Sequence, residues 1–333
     1  MAKGKRYTIG MDLGGTKILA AVVSPKGRIV AEAKLRTRAE NGPDAVIERM
    51  VETARQAVRK AEVDWQDVLG MGVGAPGPLD PETGIIYHPP NLPGWDEIPL
   101  GPYLSEALGV PVFMENDVNL GTLGEHVLGA GQGTRDMVGI FVGTGVGGGL
   151  ILDGKLRSGY RHAAGEVGHM ILHADGPVCG CGKRGCLEAL ASRTAIERDI
   201  RLAIDAGRES LVPELIKERG RLTSGLLAKA LRRGDPVVAE VLGRAQWYLG
   251  LLTASIVNLL DPEMIVFGGG VVEALGEEFL EPIRVTARQY FIQQAGADKV
   301  RMVAATLGDH AGVLGAAVMA RQQAEQNPTV ATA

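Results

Sequence analysis

The sequence predicts an α/β protein built in two halves, and three observations predict it. Apolar strand-like runs alternate with helical stretches along the chain. One strand, glycine loop, strand unit occurs twice. A length of 333 residues with 45% hydrophobic side chains is enough for two cores.

The first copy of the unit runs from Tyr7 to Leu35: an apolar strand, a glycine loop, a second strand, a turn at "SPKG" and a third strand. Residues 42 to 62, "GPDAVIERMVETARQAVRKAE", space their apolar residues as one helix face and leave a charged face for solvent. A buried strand, "DVLGMGVGAPG", follows, then a Pro/Gly-rich loop, "HPPNLPGW", and an apolar strand, "VPVFM", that ends in "ENDVN". The second copy covers Val138 to Arg157, with Ile9-Gly10 matching Val138-Gly139 and Gly14 matching Gly143. Beyond residue 188 the chain turns helical, and "SRTAIERDIRLAIDAG" opens on a Ser192 cap. A long apolar helix spans roughly 236 to 260, "DPEMIVFGGG" is a strand ending in three glycines, residues 311 to 324 form a closing helix, and "NPTVATA" is a frayed tail.

Composition excludes some classes of function. The net charge is −4 and the basic residues form no dense block, so nucleic acid and acidic membrane surfaces are poor partners. The first apolar run is broken at once by Asp12 and two glycines, which is unlike a signal peptide, and no apolar stretch is long enough to span a bilayer. The expected compartment is the cytoplasm, where thiols stay reduced.

Against that background the cysteines stand out, because all three lie in "VCGCGKRGC". Three thiols cannot all pair within a chain, and Cys179 and Cys181 are in poor geometry for a bridge. Together with His169 upstream, Cys179, Cys181 and Cys186 make a Cys3His set of the kind that closed structural zinc sites use. Gly180, Gly182 and Gly185 let the chain fold tightly around a small ion. The competing reading is three free cysteines packed as small hydrophobes, but the glycine and charge of the segment do not suit a core.

Three glycine-rich turns, "DLGGTK" (12 to 17), "GTGVGGG" (143 to 149) and "GGG" (268 to 270), each follow an apolar strand, and backbone N–H groups in such turns cradle anions. Gly143, Gly145 and Gly148 fit GxGxxG, as do Gly72, Gly74 and Gly77. A dinucleotide fingerprint must open a helix, however, and these run into a strand and a loop. A Walker A loop is absent from the sequence.

"GMDLGGTK", "ENDVNLGTLGE", "GTGVGGGL", "GEVGHM" and "CGCGKRGCLE" resemble the ROK family (repressor, open reading frame, kinase), and its bacterial glucokinases in particular, from about Ile9 to about Arg321. The resemblance implies the actin-like, sugar-kinase (ribonuclease H-like) fold, two α/β domains around a cleft that holds ATP and sugar. Residues 1–135 with the C-terminal helix at about 309–325 are the smaller domain, 136–308 the larger one with its zinc-binding loop 168–188, and 326–333 a flexible tail. The implied activity is ATP-dependent phosphorylation of D-glucose at the 6-position, with Mg2+ as the phosphate's partner and structural Zn2+ in the loop.

By the same resemblance Asp117 is the general base for the sugar 6-OH and Asn116 binds the neighbouring hydroxyl; read from the residues alone, Asp117 serves equally well as a helix N-cap. Glu166, His169 and Glu188 recognise the hexose, and a metal knot between His169 and Glu188 holds both in place; Glu188 alone also reads as a solvated surface group. Asn91 in "NLPGW" reaches a hydroxyl while Trp95 packs, or the loop merely buries the Trp. Gly77 lines the pocket through its backbone. Asp12 lies near Mg2+, the loops Gly14, Gly15 and Gly143, Gly145 face the phosphates, and Thr16, Lys17 and Thr144 donate to them. Lys17 also reads as a solvated strand lysine. Gly268, Gly269 and Gly270 seat the adenosine. His88, His126, His162, His173 and His310 receive no role.

The alternatives within the family are N-acetylmannosamine, mannose, fructose or allose as substrate, and polyphosphate as donor. Its sugar-sensing repressors carry a helix-turn-helix before the first glycine loop, which here starts by residue 12, so an enzyme is expected. The family's habit implies a homodimer or homotetramer. Sugar binding should close the domains before ATP is used, with glycine-rich segments near 70 to 77 and 129 to 134 as hinges.

Overall fold

The computed structural model describes residues 7–89, 92–217 and 220–326. Asn91 and the tail beyond residue 326 therefore lie outside the described residues.

β1 (Tyr7–Leu13), β2 (Lys17–Val23) and β3 (Ile29–Arg36) form an antiparallel meander. α1 (Pro43–Ala61), with Pro43 in its first turn, carries the chain back so that β4 (Val68–Ala75) runs parallel to β1. After a small hairpin of β5 (Leu79–Asp80) and β6 (Ile85–Ile86), α2 (Leu100–Leu108) returns it again for β7 (Val112–Asn116), parallel to β4. The sheet order is β3-β2-β1-β4-β7. β1, β2 and β4 are buried almost throughout, which is why they read as apolar runs rather than as alternating ones. α3 (Asp117–Leu128) ends this half.

β8 (Met137–Val142), β9 (Val146–Leu152) and β10 (Lys155–Leu156) repeat the meander. A long insertion follows, holding α4 (Leu187–Ala191), α5 (Arg193–Asp205), α6 (Val212–Lys217), α7 (Ser224–Arg232) and α8 (Pro236–Leu260). β11 (Met264–Gly268), α9 (Gly270–Leu275), α10 (Glu277–Gln289), β12 (Arg301–Ala304) and α11 (Ala311–Gln326) complete the chain. The second sheet has the order β10-β9-β8-β11-β12, the counterpart of the first. β8, β11 and β12 are parallel, as β1, β4 and β7 are, so the duplicated sequence unit opens two sheets of one topology. Ser192 caps α5 by accepting from Ala195 N–H at 3.1 Å, and the buried Asp235 caps α8 through Val237 and Val238.

The closing helices of the two halves lie between the sheets. α11 packs on β1 and β4, while α3 reaches β8 and β9 and lies against α11. Glycines make these approaches possible: a Cβ on Gly10 would sit 1.8 Å from Val313 O, one on Gly139 2.4 Å from Thr122 Oγ1, and one on Gly315 1.8 Å from Leu120 O. Because α3 packs mainly on the second sheet and α11 on the first, the chain passes between the halves where β7 runs into α3 at Asn116 and Asp117, and again at 305–310. The expected hinge near 70 to 77 is not one, because 68–75 is the interior strand β4, hydrogen-bonded to β1 and β7. Gly72 admits the close approach of α11, since a Cβ there would lie 2.0 Å from Ala316 O, while a Cβ on Gly74 would meet Leu120 of α3 at 3.3 Å.

Candidate active site and metal centre

In open sheets with parallel strands, ligands bind beyond the C-terminal strand ends. β1, β4 and β7 end at Leu13, Ala75 and Asn116, and β8 and β11 end at Val142 and Gly268. Asp12, Asn116, Asp117 and all three glycine loops sit at these ends.

The first loop is a tight turn. Gly14 N–H donates to Lys17 O at 3.0 Å, and Thr37, at the end of β3, pins it by donating its hydroxyl to Gly14 O at 2.6 Å and its N–H to Thr16 O. Gly15 and Thr16 are left exposed. Lys17 Nζ is 2.8 Å from Asp309 Oδ2, an ion pair between β2 and the turn before α11. Burial, then the Asp117 and Asp309 carboxylates, push Asp12 up from 3.8 to about 7, against the lowering effect of Lys17. Asp12, Lys17, Asp117 and Asp309 thus share one electrostatic neighbourhood.

At the end of β7 the capping role falls to Asn116, whose Oδ1 accepts from Val118 N–H at 2.9 Å and Asn119 N–H at 3.2 Å. Asp117 is the first residue of α3, with Oδ1 2.9 Å from Val118 N. Burial raises its pKa, the Val118 N–H opposes this, and Glu166 adds to the rise. The Asn116 side-chain amide lies beside Gly77, where a Cβ would be 3.7 Å from Nδ2. Behind them Glu115 is buried, accepting from Asn116 N–H, from Asn119 Nδ2 and, at 2.6 Å, from the hydroxyl of Ser158 in the second half. Trp95 is buried in the first core.

Glu166, His169, the cysteines and Glu188 form one continuous wall. His169 Nε2 is 4.0 Å from Glu166 Oε2, and its Nδ1 is 3.7 Å from Cys179 Sγ. Cys181 Sγ and Cys186 Sγ are 3.7 Å apart, and the four donor atoms of His169, Cys179, Cys181 and Cys186 all lie within 4.8 Å of one another. A zinc tetrahedron with Zn–S bonds of about 2.3 Å has S···S edges of about 3.8 Å, so the set fits that ion. Burial pushes the Cys179 thiol up to about 12, which a cation replacing its proton would reverse. Gly185 is required here: its φ is +73°, and a Cβ would meet His173 O at 1.6 Å. Glu188 Oε1 is 3.5 Å from Cys179 Sγ and its Oε2 accepts from Val146 N–H at 3.1 Å.

That last bond ties this wall to the second glycine loop, where a Cβ on Gly145 would lie 2.2 Å from Glu188 Oε2. Gly143 faces open space. Of the third loop, Gly268 packs on the Phe141 ring and Gly269 takes φ +89° against Val142 O, so both have structural reasons to be glycine; Gly270 has room around it.

Sequence reasoning missed Asp309, Glu273 and Arg193. Asp309 is 292 residues from Lys17 and looks like a cap before the closing helix. Glu273 lies near both, its pKa raised by burial and by Asp309. Arg193 donates its N–H to Gly143 O at 2.9 Å and Nη2 to Thr144 Oγ1 at 3.1 Å, bringing a guanidinium to the second loop. Its one signal was a basic residue directly after the Ser192 cap.

The pattern of the ROK family matches residues 8–323. A glucokinase of Halalkalibacterium halodurans is 36% identical over 319 residues, 96% of each chain. Among solved structures, a ROK hexokinase from Thermus thermophilus superposes with a TM-score of 0.81 at 38% identity, covering 96% of this chain and 99% of that one. A ROK family glucokinase from Streptomyces griseus in complex with glucose and AMPPNP gives 0.80 at 35% identity, covering 95% and 99%.

Proposed function

The chain belongs to the ROK family and has its actin-like sugar-kinase fold, and from that premise we propose that it phosphorylates D-glucose at the 6-hydroxyl with ATP. The observation that carries the proposal is Asp117: a carboxylate with a raised pKa, at a strand end, in the same neighbourhood as Asp12, Lys17 and the first glycine loop. The glucokinase relative and the glucose-bound structure support glucose within the sugar-kinase class.

Phosphoryl transfer asks the protein for positioning, a base and stabilisation of charge. Asp117 Oδ1 is held by Val118 N–H, so Oδ2 takes the proton from the sugar 6-OH as that oxygen attacks the γ-phosphorus and the bond to ADP breaks. The raised pKa strengthens this base. Asn116 offers Nδ2 to the neighbouring hydroxyl, because capping occupies its Oδ1. Glu166 and the Nε2 side of His169 face the sugar from the opposite wall, and Glu188 braces that wall against Val146. Thr16, Lys17, Thr144 and Arg193 donate to phosphate oxygens, with Lys17 exchanging Asp309 for phosphate. Asp12 and Asp309 would hold Mg2+, which neutralises charge on the transferring phosphate. His169, Cys179, Cys181 and Cys186 would hold zinc with no position left open, so its contribution is structural.

The test is ADP release with Mg-ATP across glucose, mannose, N-acetylmannosamine, fructose and allose, for the wild type and Asp117→Asn. Turnover with glucose well above the others, reduced on the order of a thousandfold or more in the variant, is the expected result. Preference for another sugar would move the specificity alone. No turnover with any sugar would overturn the enzyme and leave a sugar-binding regulator as the better reading.

A further inference from the structure

The first passage between the halves runs through the residues assigned to the chemistry, because β7 ends at Asn116 and α3 opens at Asp117. Glu115 stands one residue before Asn116, on β7 and opposite Gly74 of β4. Its carboxylate is buried. Oε1 accepts from Asn116 N–H at 2.8 Å and from Asn119 Nδ2 at 3.0 Å, and Oε2 accepts from the Ser158 hydroxyl at 2.6 Å. Asn119 belongs to α3 and Ser158 follows β10, so a carboxylate of the first sheet holds one side chain from each of two segments that pack with the second.

Ser158 is itself fixed to the second sheet. Beside it Arg157 N–H donates to Leu150 O of β9 at 2.9 Å, and Ala164 N–H closes a short loop by donating to Ser158 O at 2.9 Å. The loop returns to β9 at Gly165, where a Cβ would lie 2.8 Å from Gly148 O, and Glu166 comes next. A second reach toward the first half is weaker: His162 Nε2 is 3.9 Å from Oε1 of Glu82, a side chain that is 82% exposed, and such a contact contributes little. The register of loop 158–166 against Asn116 and Asp117 is therefore set at Ser158. All three donors to Glu115 are neutral, and a buried carboxylate held in this way costs stability relative to a well-packed apolar side chain. Asn119 adds to the cost, since its Oδ1 is buried without a hydrogen-bond partner among the described residues. Packing alone calls for neither group.

We propose that Glu115 is a positioning residue, joined to Ser158 so that the loop carrying Glu166 is held in register with Asn116 and Asp117 where the chain passes between the halves. Its effect on the sugar rests on the kinase reading; the link itself does not.

Ser158→Ala removes one hydroxyl from a half-buried loop residue and leaves Asn116 and Asp117 in place. With Oε2 released the carboxylate can turn, so the Asn116 amide should exchange with solvent about five- to tenfold faster without any ligand. KM for glucose should rise by on the order of tenfold while kcat changes by less than about threefold, because Asp117 stays held by Val118 N–H. Ser158→Thr keeps the hydroxyl and should return both exchange and KM close to the wild-type values. A Ser158→Ala protein with a lower melting temperature but an unchanged KM would overturn the proposal and leave Glu115 a purely structural group. Unchanged exchange at Asn116 would overturn the link, and a Thr variant as impaired as the Ala one would show that the hydroxyl does not carry it. A wild type that turns over no sugar, while Asn116 exchange still responds to Ser158→Ala, would sink the kinase reading and leave the link standing.

Discussion

At the residue scale, Asp12 sets stability against function. Its carboxyl titrates near 3.8 in the unfolded chain and about 7 in the fold. A raised acid binds its proton more tightly when folded, so stability is lost as pH climbs from about 4 to about 7 and the loss is complete above that. Asp12→Asn should therefore match the wild type near pH 3.5 and exceed it at pH 8, by at most on the order of 4 kcal/mol, read from urea unfolding at the two pH values. The same variant should lose kinase turnover, because the charge that burial and two neighbouring carboxylates oppose is the one a divalent cation needs. Equal stabilities at both pH values would show Asp12 to be unperturbed.

At the scale of elements, the segment 168–188 is the least self-supporting part of the site. Between the turn at Val167–His169 and α4, which opens at Leu187, its regular structure is the isolated bridges Ile171↔Cys186 and Val178↔Arg184. Without an ion, little orients His169 toward Glu166. Metal analysis should find one zinc per chain. Removal with a strong chelator, or Cys181→Ser, should raise KM for glucose by about ten- to a hundredfold and restore it on zinc addition to the chelated protein. A chelated protein with unchanged KM would separate the loop from the sugar. The convergence of His169 with the three cysteines was legible in advance, from the cysteine spacing and the glycines between them. The tie from Glu188 to Val146 was not, because a hydrogen bond across 42 residues leaves no local pattern.

The whole molecule shows where sequence reading stops. Periodicity and glycine turns located α1, α8, β11 and the duplicated meanders because each is a local property of its own residues. Asp309 and Arg193 escaped because their partners are distant in the chain, and Gly72 of β4 read as part of a flexible segment when, like Gly10 of β1, it is small in order to admit α11. Gly10→Ala tests that last point. A Cβ there meets the backbone oxygen of Val313, which no rotamer change can relieve, so a loss of about 3 kcal/mol is expected from thermal or urea unfolding. Little or no loss would mean that α11 shifts freely on the sheet. The seating of α11 on β1 and β4 also bears on synthesis. The ribosome finishes β4 at residue 75 and α11 at residue 326. At about 5–20 residues per second, one face of the first sheet waits roughly 13 to 50 s for its cover. The N-terminal half is made first but cannot be completed first, and a chaperone that shields that apolar face should find its substrate in the nascent chain.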